Sequence, residues 1–66
     1  MYQVKTEDLQ KVISLTLTAE QLEAICGAME IVGMELAEQK DPYLPIHDKT
    51  HGAIIDVLEN NFSVEV

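Results

Sequence analysis

Arginine is absent from this sequence. Its four cations, Lys5, Lys11, Lys40 and Lys49, stand against 12 acidic residues, for a formal net charge of -8. Neutralising a phosphate backbone takes cations gathered on one face, and four scattered lysines supply none. The chain is therefore expected to bind neither nucleic acid nor an anionic membrane surface. Cysteine is almost as scarce: Cys26 stands alone, which excludes an internal disulfide and fits a reducing, cytoplasmic setting. Long apolar runs are missing too. The most hydrophobic stretch, Leu22 to Ala37, is broken by Glu23, Glu30 and Glu35, and no basic-then-apolar segment opens the chain. Neither membrane insertion nor export is expected.

What is present is a hydrophobic fraction of 47%, ordinary for a globular chain and too high for an intrinsically disordered one. The 66 residues make one domain. A chain this short buries only about 60% of the surface it exposes when unfolded. Natural chains of that size lean on disulfides, a metal or a partner subunit. With the disulfide excluded, a homodimer or higher homo-oligomer is the expected reinforcement.

The clearest element is a helix over 18–40. Thr18, followed by Gln21 three residues on, is a capping box, and Glu20 and Glu23 lie where the helix dipole favours anions. Leu22, Ile25, Met29, Val32 and Leu36 recur at steps of three and four, an apolar seam of helical period. Asp41-Pro42 stops the helix, because the residue before proline is driven out of helical geometry. Gly33 lies beside Cys26 on the seam side, where small residues let another helix approach. A second helix over 49–60 is predicted from Ile54, Ile55, Leu58 and Phe62, with Asp48 or Thr50 as its cap and Asn60-Asn61 at its end. The short connection from Asp41 to His47 folds the two into a hairpin.

Two period-two patterns flank the helices. Ile13, Leu15 and Leu17 alternate with polar residues, as do Phe62, Val64 and Val66. They read as short strands over 11–17 and 62–66, which the hairpin would bring to one end. The expected fold class is α+β, mainly α, in the order β-α-α-β. Thr6 to Gln10 reads as a helical turn and Tyr2 to Lys5 as a further strand.

Candidate binding residues fall in two places. Ile31 and Met34 lie off the seam of the first helix, leaving apolar surface that a subunit or partner protein would cover. The loop that follows carries two prolines, which stiffen it, so that Tyr43, Leu44 and Ile46 can engage a partner with little loss of entropy; the competing role for Leu44 and Ile46 is to plug the open end of the hairpin. If the second helix starts near Thr50, its free amides, with Lys49, Thr50, His51 and a stacking Tyr43, offer an anion site for a cyclic dinucleotide or similar messenger. Glu20, Glu23, Glu30 and Glu38 share one face of the first helix, the kind of acidic row by which a small protein can imitate DNA and inhibit a nucleic-acid-binding enzyme. His47 and His51 have metal-ligand spacing, but His47 is expected to precede the helix, so neither a metal nor a cofactor is expected. No nucleophile, base and orienting group stand together, and no catalytic activity is expected.

Leu15-Thr16-Leu17-Thr18-Ala19-Glu20-Gln21-Leu22-Glu23-Ala24-Ile25 resembles the strand-then-capped-helix opening of many small uncharacterised phage and mobile-element proteins. The resemblance implies a setting in which tiny acidic proteins sequester host proteins or signalling nucleotides; it carries over no site residues. The function expected is that of a non-enzymatic, acidic protein-binding inhibitor or adaptor acting as an oligomer. Nucleotide sequestration is the first alternative and DNA mimicry the second.

Overall fold

The computed structural model describes residues 1–62. A 3-10 turn, Thr6–Asp8, precedes two helices, α1 (Ala19–Gln39) and α2 (Leu44–Phe62), which fold back on each other as a hairpin. The capping box forms as expected. The Gln21 amide donates to Thr18 Oγ1 at 3.1 Å, and the Thr18 amide donates to Gln21 Oε1 at 2.9 Å. At the other end, Lys40 takes the left-handed conformation, with φ 52 and ψ 44. Its amide reaches the Ala37 carbonyl at 3.3 Å, and the Asp41 amide reaches the Leu36 carbonyl at 3.0 Å. This is a Schellman closure with a lysine where glycine is usual.

The second helix begins earlier than the sequence suggests. Neither Asp48 nor Thr50 caps it; both lie inside α2, which starts at Leu44. The Asp41 carboxylate accepts from the Tyr43 amide at 2.9 Å, and the Asp41 carbonyl accepts from the Leu44 amide at 3.0 Å. These bonds turn the chain directly into the helix. Pro45 sits in the first turn, where its missing N–H costs nothing. Asn60-Asn61 does not end the helix, which continues to Phe62; the Asn61 side chain donates to the Val57 carbonyl at 2.8 Å.

The β-α-α-β reading is overturned. Among the described residues no strand forms, and the expected strands over 11–17 and at Tyr2 to Lys5 are irregular chain. Phe62 is helical, and the remainder of the 62–66 strand, residues 63–66, lies outside the described residues. Alternation makes a strand only when a neighbour supplies ladder hydrogen bonds and an apolar face to cover. Here Ile13 and Leu15 are exposed and only Leu17 is partly covered. The turn expected at Thr6 to Gln10 is present as the 3-10 turn Thr6–Asp8, with Lys5 at its cap.

The helix contact also differs in phase from the predicted seam. The more protected residues of α1 are Leu22, Cys26, Met29, Gly33 and Leu36, facing a seam of Leu44, His47, His51, Ile54 and Leu58 on α2, beside which Ile55 is also partly covered. Both sets step by three and four, as in antiparallel coiled coils. Ile25 and Val32, placed on the seam by hydrophobicity, lie along its edge with 37% and 46% of their surface exposed. None of the described residues is fully buried. The Cα radius of gyration is 14.1 Å, against about 11 Å for a compact chain of this length. No helix among the described residues is long and apolar enough to cross a membrane.

Candidate functional site

The middle of the hairpin seam is polar. Two apolar turns would normally meet there, but α1 offers Cys26 and Gly33 and α2 offers His47 and His51. Cys26 Sγ lies 3.3 Å from His51 Nε2, and the pair is partly buried. Glu30, one turn after Cys26 on α1, brings a carboxylate oxygen within 4.8 Å of Cys26 Sγ and of a ring nitrogen of His51. One turn before His51, His47 lies with its ring centroid 5.9 Å from that of His51.

His47 is held from two sides. Its side chain is only 10% exposed, and Nδ1 is 3.2 Å from Asp48 Oδ1. A carboxylate only accepts, so the proton of that bond is on Nδ1. The ring packs against Gly33: a Cβ added there would lie 2.8 Å from His47 Cε1. Gly33 is thus the point of close approach, and the helix admitted is α2 of the same chain. His47 Nε2 is buried and has no hydrogen-bond partner among the described residues. Buried polar atoms without partners are few in native proteins and call for a physical explanation.

The hairpin separates the residues expected to bind a partner. Ile31 and Met34 are 72% and 70% exposed on α1, away from the α2 contact. Tyr43, in the connection, and Ile46, in the first turn of α2, are also exposed, whereas Leu44 is partly covered and joins the seam. Leu44 therefore acts as a plug and Ile46 does not. The anion site expected at Lys49, Thr50 and His51 loses its basis. These residues lie beyond the first turn of α2, where the amides are used by the helix, and the Thr50 hydroxyl donates to the Ile46 carbonyl at 2.8 Å. His51 faces Cys26 instead. Of the acidic row on α1, Glu30 lies near the Cys26–His51 pair.

Sequence reading missed the Cys26, Glu30, His51 and His47 grouping because its two halves are far apart in the chain. The signal was present as two i, i+4 pairs, Cys26 with Glu30 and His47 with His51, each on one face of a helix. No family model matches this chain, nor does any curated protein or solved structure.

Proposed function

We propose that the chain is a non-enzymatic, acidic protein-binding protein of the inhibitor or adaptor type, working as a homodimer or higher homo-oligomer in a phage or mobile-element setting. The observation that carries this reading is the surplus of apolar surface. Two helices covering one face each leave Ile25, Ile31, Val32, Met34, Ile46, Val57 and Phe62 outside the contact. By heptad position Ile25 and Val32 flank the α1 seam on the edge that Val57 flanks on α2. A stripe on both helices, beside a seam already in use, is the surface along which a second hairpin packs to make a four-helix bundle. Ile31 and Met34 lie further round α1; they, and separately Tyr43 and Ile46 at the turn into α2, are the residues assigned to contact with a different protein.

The two parts of the proposal are tested separately. Val32→Lys is expected to reduce the assembled mass in light scattering while leaving the single chain helical. Ile31→Glu is expected to leave the mass unchanged and to abolish recovery of a partner from host lysate that wild type retains. Recovery of the same partner by both would show that the binding face is misassigned.

A further inference from the structure

From the cluster at the centre of the hairpin we infer a transition-metal site, of zinc type, with Cys26 and Glu30 of α1 and His51 of α2 as ligands and His47 as the adjoining fourth donor. A tetrahedral zinc ion bonds sulfur at about 2.3 Å and imidazole nitrogen at about 2.0 Å, which sets those two atoms about 3.5 Å apart. Cys26 Sγ and His51 Nε2 are already 3.3 Å apart. The carboxylate of Glu30 lies within 4.8 Å of Cys26 Sγ and of a His51 ring nitrogen, so a shift of about 1 Å in one exposed side chain completes three sides of a tetrahedron.

The second observation is independent of that triangle. His47 Nε2 is buried without a partner, while Nδ1 is committed to Asp48. A carboxylate that accepts a hydrogen bond from Nδ1–H and so leaves Nε2 with a free lone pair is the arrangement that orients metal-binding histidines. His47 is one turn from His51 on the same face, with the two rings 5.9 Å apart. A closer approach of the two helices' side chains on metal binding is required for His47 Nε2 to take the fourth position, since Cys26, Glu30 and His51 form the ready triangle and His47 adjoins it.

The donor set decides the metal class. One thiolate and two imidazoles with a carboxylate suit zinc or cobalt(II), whereas magnesium and calcium require oxygen ligands. Binding forms a sulfur–metal bond as the Cys26 thiol releases its proton to solvent; no electrons are transferred. Because the ligands come from both helices, the ion clamps the hairpin. It supplies the reinforcement that a single cysteine cannot give as a disulfide.

The test is titration of the full chain, stripped with a chelator, using zinc chloride, cobalt(II) chloride and magnesium chloride in turn. We expect one zinc per chain, a rise of about 10–20 °C in thermal midpoint with zinc at a hundredfold excess over Kd, and no response to magnesium. Cobalt is expected to give a thiolate charge-transfer band in the near ultraviolet, which Cys26→Ser abolishes. Glu30→Gln alters an exposed side chain that the hairpin does not depend on, and is expected to weaken zinc at least about 10-fold. The inference is overturned by zinc leaving the midpoint unmoved, by a cobalt spectrum without the thiolate band, or by affinity unchanged in Glu30→Gln. Loss of fold in Cys26→Ser would leave the Glu30→Gln result to decide.

Discussion

Alanine substituted in turn at the three glycines of the hairpin distinguishes the position where the helices meet from the positions where they do not. Glycine inside a helix costs about 1 kcal/mol relative to alanine. A Cβ at Gly27 or Gly52 meets nothing within 4 Å, so each substitution is expected to stabilise the chain by about that amount. At Gly33 the same propensity gain is opposed. The new methyl would lie 2.8 Å from Cε1 and 3.4 Å from Nδ1 of His47, whereas comfortable carbon contacts begin near about 3.5 Å. The ring must shift by about 0.7 Å to reach that spacing, and it is tethered to Asp48 and only 10% exposed. Overpacking of this kind costs about 1–3 kcal/mol, which leaves Gly33→Ala between neutral and about 2 kcal/mol destabilising. Thermal denaturation followed by circular dichroism resolves the difference, since 1 kcal/mol moves the midpoint of a domain this small by about 4–8 °C. All variants must be compared at one protein concentration, because the proposed assembly would make the midpoint concentration-dependent. In a His47→Ala background, Gly33→Ala should become as stabilising as Gly27→Ala. A Gly33→Ala protein that gains as much as Gly27→Ala with His47 intact would refute the packing described here.

Other substitutions test the ends and edges of the hairpin. Lys40→Gly relieves a left-handed lysine and should stabilise the chain by about 1 kcal/mol in urea denaturation; a loss would mean that the Schellman closure does not form. Thr18→Ala removes one half of the capping box and should cost about 1 kcal/mol by the same method, with no change expected in assembled mass. Val32→Lys should lower that mass, and Ile31→Glu should not, because only Val32 lies on the edge that both helices share.

How much of this could be read in advance differs from element to element. The first helix was legible at both ends, because Thr18 with Gln21 and the Asp41-Pro42 stop act through local geometry. The hairpin followed from the short connection. The strands failed because the alternation at Ile13, Leu15 and Leu17 says which side chains share a face, but does not say that another strand is there to cover it. The start of α2 was displaced because Pro42 and Pro45 were read as stiffening a loop, whereas Asp41 caps the turn and Pro45 is harmless in a first helical turn.

The seam was right at Leu22, Met29 and Leu36 and wrong between them, since hydrophobicity selects bulky Ile25 and Val32 over Cys26 and Gly33. Small residues sit where the backbones come closest, and that is visible only once His47 is seen against Gly33. The cluster of Cys26, Glu30, His47 and His51 was concealed for the same reason. Its spacings could be read within each helix, but bringing them face to face depends on the register of α1 against α2.

The central proposal is that this hairpin does not stand alone: two helices with no fully buried residue leave Ile25, Val32 and Val57 exposed along one edge, the edge we propose another copy covers. Light scattering of the purified chain at micromolar concentration measures this directly. The account predicts a mass of two or more times the 7.4 kDa chain, falling towards a single chain in Val32→Lys. A helical wild-type protein of 7.4 kDa would contradict it.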